Sequence, residues 1–243
     1  MAGVKEHYDK HLSNFYSWMA GDFELLQESQ GNFFAQHNIL PGSTAAAIDL
    51  GAGHGAQSTA LAKLGFHVTA IDFSAQLLAE LGRNSRSLPV ETVEDDIRNV
   101  SKYSYLKPEL IVCMGDTLTH LESADEVERL VNDCAAMLQP GGRLVLSFRD
   151  YTRELKGNDR FIPVKNDGNR ILTVFLEYFP GKVSVTDLLF ERSGQSWEQK
   201  VSTYDKLRLD ASEVSKLMVK AGLKVEFNEP VNRMICMVGV NDS

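Results

Sequence analysis

The rhythm of apolar and polar positions changes along the chain. Residues from about 4 to 38 carry aromatic side chains at helical spacing (Tyr8, Phe15, Tyr16, Trp18, Phe23, Phe33 and Phe34), which predicts helix up to the Pro41-Gly42 break. From residue 44 short, nearly continuous apolar runs take over. Residues 45–50, 66–71, 90–93, 110–114 and 143–148 read as buried strands, and the stretches between them as helices. Gly65 closes the helix over 56–64, Ser74 opens one running to about 81, and Ser123 with Glu126 forms a capping-box pair before a helix that Pro140-Gly141-Gly142 ends. Strands alternating with helices in this way predict a parallel sheet covered on both faces.

Between residues 150 and 208 the period becomes two. Residues 171–178, 183–191 and 197–209 read as strands joined by Pro180-Gly181 and Ser193-Gly194, an antiparallel meander with no helix between. In WEQKVSTYDKLRL, Trp197, Val201, Leu207 and Leu209 share one face, and Lys200, Ser202, Tyr204, Lys206 and Arg208 share the other. Asp210 and Glu213 open a further helix, Gly222 closes it, and residues 223–228 and 233–240 supply two last strands. The expected organisation is a helical cap over 1–43, an α/β core over 44–149, a β insertion over 150–208 forming a substrate lid, and the rest of the core over 209–243.

Composition narrows the class. A chain of 243 residues with 43% apolar and 24% charged residues builds its own core, and it has no apolar run near the roughly 18 residues of a bilayer span. The start, MAGVKEHYDKHL, is too polar for a secretory signal. A formal charge of -8 disfavours broad attraction to phosphate backbones, so neither a nucleic acid nor a membrane is expected as partner. Cys113, Cys134 and Cys236 lie apart in apolar surroundings without metal or redox spacing, which suits buried thiols in a reducing cytoplasm; no metal is expected.

The first strand runs into IDLGAGHGA, residues 48–56. Gly51, Gly53 and Ala56 fit the dinucleotide pattern G-x-G-x-x-G/A, which suggests NAD. Asp49 opposes that reading: beside a pyrophosphate it would be repelled by roughly 4 kcal/mol per unit charge pair at about 4 Å and an effective dielectric near 20. An ammonium or sulfonium would be attracted instead. The third glycine falls at Gly55, giving D-x-G-x-G-x-G, and Asp72 closes the second strand where a carboxylate meets ribose hydroxyls. Asp95-Asp96-Ile97, after the third strand, offers a carboxylate to an adenine amine.

These segments resemble the class I S-adenosylmethionine-dependent methyltransferases. IDLGAGHGA is similar to their first motif, VTAIDFS to the ribose-binding acidic strand, VEDDIR to the adenine-contacting segment and LQPGGRLVLSF to the turn into the fifth strand. LIVCMGDTLTHL is similar to the fourth-strand segment of the glycine N-methyltransferase-like, small-molecule branch. The resemblance implies a Rossmann-like, seven-stranded, mostly parallel sheet with its last strand antiparallel. It implies S-adenosylmethionine as cofactor, released as S-adenosylhomocysteine. The implied cofactor residues are Asp49, Gly51, Ala52, Gly53 and Gly55, then Asp72 and Phe73, Asp96 and Ile97, Met114, Gly115 and Asp116, with Tyr16 from the helical cap.

Methyl transfer is an in-line displacement that needs alignment and a dry pocket more than a base. Asp116 and His120 follow the fourth strand and are the candidate catalytic groups, the histidine as a proton acceptor near neutral pH. The insertion leaves from the fifth strand above the site, so Arg149, Tyr151, Arg160, Tyr204 and Arg208 are the candidate acceptor contacts, and three arginines favour an anionic metabolite. The expected activity is N- or O-methylation of a small molecule by a monomer or homodimer. An NAD-dependent oxidoreductase and a non-catalytic cofactor-binding protein are the alternatives.

Overall fold

A computed structural model describes residues 3–242; Met1, Ala2 and Ser243, the ends of the first and last expected segments, lie outside it. The N-terminal region is not one helix. It breaks into α1 (Val4–Lys10), a 3-10 turn (Leu12–Asn14), α2 (Tyr16–Ala20) and α3 (Phe23–Gln36). Gly21, at φ +110°, ends α2, and the Asp22 side chain accepts from Leu25 N–H to start α3.

The core alternates as the sequence predicts: β1 (Ala46–Leu50), α4 (Ala56–Lys63), β2 (His67–Asp72), α5 (Ala75–Asn84), β3 (Val90–Glu94), β4 (Leu110–Cys113), α6 (Ala124–Met137) and β5 (Arg143–Phe148). A 3-10 segment over Ile97–Leu106, which apolar periodicity did not reveal, joins β3 to β4. After the insertion, β6 (Phe161–Asn166), β7 (Arg170–Phe179), β8 (Lys182–Ser193) and β9 (Ser196–Leu207), come α7 (Ala211–Lys220), β10 (Leu223–Val231) and β11 (Met234–Asn241). β6 is an additional strand: Pro163 and a register shift between Pro163 and Lys165 hide its period, as suits an edge strand.

The main sheet has the order β10-β11-β5-β4-β1-β2-β3, with β11 antiparallel to both neighbours and the others beside it parallel. Apolar layers cover both faces, one formed with α6 and α7 and the other with α3 and α4. β3 is an edge strand and half-exposed rather than buried. Strand order reverses at β1, which lies between β2 and β4, so the carboxyl ends of these strands form the crevice where such sheets bind ligands.

The insertion is a second sheet, β6-β7-β8-β9, antiparallel throughout. One of its faces packs on the N-terminal helices through Leu172 and Leu189 against Leu12 and Phe15, and through Val185 and Tyr204 beside Val4. A buried polar knot fastens the same joint: His7 Nδ1 lies 2.7 Å from Ser202 Oγ, and His7 Nε2 lies 3.3 Å from Asp187 Oδ2. α1 and α2 are thereby held between the insertion and the site end of the main sheet.

Candidate active site

The glycine turn after β1 is built by packing as much as by conformation. Gly51, Gly53 and Gly55 all have positive φ. A Cβ on Gly51 would lie 2.4 Å from Thr117 Cγ2, and one on Gly55 2.6 Å from Leu81 Cγ. Gly53 differs, because its open side meets only the Tyr16 ring, with the hydroxyl 3.5 Å from a notional Cβ. Backbone is therefore bared toward an aromatic wall at that position, beside the buried Ala52.

Asp72 fastens this turn. Its Oδ2 accepts from Gly53 N–H at 2.8 Å and its Oδ1 from Ser74 N–H at 2.8 Å, leaving each oxygen further accepting capacity. Burial pushes its carboxyl upward against the pull of those N–H groups. Asp49 is 1% exposed and accepts from Ser58 Oγ at 2.6 Å. Burial raises its pKa to about 7, so near neutrality the isolated group is partly protonated. Its repulsion of a pyrophosphate is weaker than a full charge gives, whereas an adjoining cation draws the pKa down and is met by a full carboxylate.

The α1–α2 aromatics wall the crevice. Tyr8 stands edge-on to Phe73 at 5.3 Å and to His120 at 5.6 Å, and Tyr16 edge-on to His54 at 5.2 Å. His54 Nε2 and His120 Nδ1 are buried without hydrogen-bond partners. Bared Gly53 backbone, two carboxylates, an aromatic wall and orphaned ring nitrogens fit a cationic nucleoside cofactor. On the third-strand side the fit is poorer than expected. Arg98 grips both oxygens of Asp96, its Nη2 at 2.6 Å from Oδ2, and also reaches Glu126 at 3.1 Å. Burial alone would raise the Asp96 pKa, but Arg98 outweighs it and lowers it, so an adenine amine would compete with an intact ion pair. Asp95 is likewise held by Asn99, Tyr103 and Lys102, while Ile97 is buried beside them.

Beyond β4 the chain turns sharply. Met114 is buried, Gly115 N–H donates to Ser147 Oγ at 2.9 Å, and Asp116 takes a left-handed φ of +77°. Its carboxylate, 3% exposed, accepts from Arg149 N–H at 2.8 Å, Tyr151 Oη at 3.1 Å and Lys206 Nζ at 2.5 Å. Burial opposes its charge, but the Lys206 ammonium and the backbone N–H prevail and hold the carboxyl below its ordinary range. Lys206, 8% exposed, is held protonated by the same pairing despite burial. His120 departs from the sequence expectation. Burial, with the Lys206 charge, lowers its pKa to about 3, so it rests as a neutral imidazole of weak basicity near neutral pH. Its Nε2 meets Tyr8 Oη at 3.4 Å.

The three expected arginines do not share a site. The Arg149 side chain, half-exposed, stands 3.8 Å from Asp116. Arg160 is half-buried and lies over the Phe175 ring at 4.8 Å. Arg208 ties the insertion together: its guanidinium donates to the carbonyls of Tyr151, Phe179 and Thr152 and pairs with Glu154 at 2.9 Å. Tyr204 faces the crevice, stacked between His7 at 4.0 Å and His120 at 5.7 Å. Lys206, Tyr8 and Thr117 join the site although sequence reasoning did not select them. The alternation that placed Lys206 on the face of Tyr204 was its only signal.

A doubly covered sheet that reverses at β1, with three glycines after β1 and a carboxylate at the end of β2, defines a nucleoside-cofactor-binding α/β protein. Comparison with known proteins makes the class specific. Residues 47–142 match the family described as "Methyltransferase domain". The glycine/sarcosine N-methyltransferase of Halorhodospira halochloris is 28% identical over 75% of this chain and 76% of its own length. A ubiquinone biosynthesis O-methyltransferase of Xanthomonas campestris is 32% identical over 50% of the chain and 49% of its own length. The CcbJ methyltransferase of Streptomyces caelestis superposes with a TM-score of 0.78 at 18% identity, covering 98% of this chain and 99% of that one. Residues 47–142 therefore carry a methyltransferase domain, and the chain as a whole has the fold of S-adenosylmethionine-dependent methyltransferases, which favours that cofactor over NAD.

Proposed function

We propose that the chain methylates the amine nitrogen of a small acceptor that also carries an anionic group. The observation supporting this is the charge set around Asp116. Lys206 and Arg149 flank one buried carboxylate, leaving an excess cation at the acceptor end of the crevice. A carboxylate or phosphate on the acceptor satisfies it, with Arg149 the accessible partner and Tyr151 and Tyr204 beside it.

When bound, S-adenosylmethionine supplies a methyl group activated by its sulfonium. The residues named for it are Asp49, the Gly51–Gly55 turn, Asp72 with Phe73, Ile97, Met114 to Asp116 and Tyr16; Asp72 has accepting capacity left for ribose hydroxyls. Tyr8, Tyr16 and Tyr204 keep water from the crevice. His120, neutral and with an unpartnered Nδ1, can accept a hydrogen bond from an amine N–H and orient its lone pair, but cannot draw a proton from a hydroxyl. An unprotonated amine attacks without a base and loses its proton afterwards, which favours N- over O-methylation. Alignment then supplies the rate, in favourable cases about 7–11 kcal/mol.

The reaction so drawn calls for no metal, and among the described residues no group of three or more His, Cys, Asp or Glu could hold one. No helix of the described residues is long and apolar enough to cross a membrane. The three buried, unpaired cysteines favour a cytoplasmic setting. The test is S-adenosylhomocysteine release from a panel of amino acids, amino sugars and their phosphates, uncharged amines, and hydroxy acids. Amines with an anionic group should turn over, and Arg149→Ala should raise their KM while leaving S-adenosylhomocysteine affinity unchanged. Equal kcat/KM for uncharged amines, turnover of hydroxy acids alone, or no turnover at all would refute the proposal.

A further inference from the structure

The alternation in β9 resolves in an unusual direction. The polar face, Ser202, Tyr204 and Lys206, turns inward to the N-terminal helices and the site, so the apolar face turns outward. Cross-strand pairs share a face, and the register places Phe161 beside Phe175, Phe175 beside Thr186, Thr186 beside Thr203, Leu188 beside Val201 and Ile171 beside Phe190. None of these side chains is buried; Phe161 is 49%, Val201 55% and Trp197 46% exposed. Cover on this face lies at its ends, where Arg160 sits over Phe175 and Ser184 and Leu207 are buried.

We propose that this face is the contact between two copies of the chain, packed sheet on sheet about a two-fold axis. Its extent suits that role: four strands at ~4.8 Å spacing, with about nine residues at ~3.3 Å rise, make a face of roughly 19 by 30 Å. Two such faces bury on the order of 1,100 Å² before side-chain relief is added, close to the ~1,200 Å² at which specific interfaces begin. The largest apolar patches on single chains span roughly 300–600 Å² and are often functional, and this face lies at the upper end of that range.

The charges around the face are self-complementary. Its centre has none. By register, Glu177 and Asp205 lie beside Ser184 at one end of β8, with Lys182 next to them, and Arg192 lies beside Trp197 at the other end, while Arg160 stands at the rim over Phe175. A two-fold axis lying between the sheets and perpendicular to the strands reverses one copy's strand direction and sets the Arg192 end over the partner's Glu177 and Asp205 end. Two acidic and three basic side chains leave the face near neutrality, which suits its own copy better than a strongly acidic or basic partner.

Sedimentation of the full chain at micromolar concentration should give twice the chain mass, with Trp197 emission moving to longer wavelength on dilution. Val201→Lys places a charge on a side chain already exposed in one copy. It should keep the native circular dichroism yet raise the dimer dissociation constant by about tenfold or more, as an unpaired charge in an interface centre demands. Leu188→Glu should do the same; if it unfolds the insertion, Val201→Lys alone decides. A wild-type chain of single mass, or a Val201→Lys variant that dimerises as well as wild type, overturns the proposal. A single-mass chain that binds neutral lipid vesicles also overturns it and gives the face to a membrane.

Discussion

Replacing Asp116 with asparagine isolates the ion pair on which the acceptor end of the site is built. The carboxylate is 3% exposed and satisfies three donors, one of them the Lys206 ammonium, itself 8% exposed. Asparagine offers a single acceptor oxygen and no charge, so Lys206 is left as an uncompensated buried cation. Breaking one side of a buried pair costs about 3–5 kcal/mol. At ~2–4 °C per kcal/mol for a chain of this size, Tm should fall by about 6–20 °C at pH 7 in a calorimetric scan. Adding Lys206→Met should recover part of the loss, with non-additivity of about 1 kcal/mol or more. Because the folded-state pKa of Asp116 lies below its unfolded value, its contribution is complete above the ordinary carboxylate range and is lost as pH falls through the folded pKa. The gap between wild type and variant should therefore narrow in acid. A Tm within about 1 °C of wild type at pH 7, or a gap that widens in acid, would refute this account of the pair.

Gly51→Ala places a Cβ 2.4 Å from Thr117 Cγ2 at a φ of +73°, so calorimetric titration should find S-adenosylhomocysteine binding lost, with partial return in Gly51→Ala/Thr117→Ala. Retained wild-type affinity in the single variant would contradict the close approach. Asp49, raised to about 7 by burial, weakens stability as pH rises from its unfolded value of about 3.9 toward 7, and Asp49→Asn should flatten that part of the Tm–pH curve. Binding a cationic cofactor should release a proton from Asp49 near pH 7, seen as buffer-dependent heats that vanish in the variant. Since His120 titrates at about 3, wild type and His120→Asn should show pH profiles of kcat/KM with the same limbs between pH 5 and 8. A limb near 6.5 present only in wild type would restore His120 as a base.

The sequence by itself determined what depends on local pattern. Apolar runs, caps and glycine punctuation fixed the alternation of strands and helices, because each of these signals acts within a few residues. The D-x-G-x-G-x-G turn, with Asp72 and the segment after the fourth strand, pointed to the cofactor class through local spacing alone. The tertiary structure decided whatever depends on which groups meet across the chain. Arg208 and Arg160 lie beside Arg149 only in expectation, since their real partners are three carbonyls, the Glu154 carboxylate and a phenyl ring. Asp96 finds Arg98 two residues on, a competition that spacing alone does not rank. Burial converts His120 from a base into a neutral acceptor and raises Asp49 to about 7, because desolvation is a property of the surroundings and not of the residue. Alternation in β9 separated two faces, but only packing of the N-terminal helices on the insertion settled that the polar face is the inner one and the apolar face looks outward.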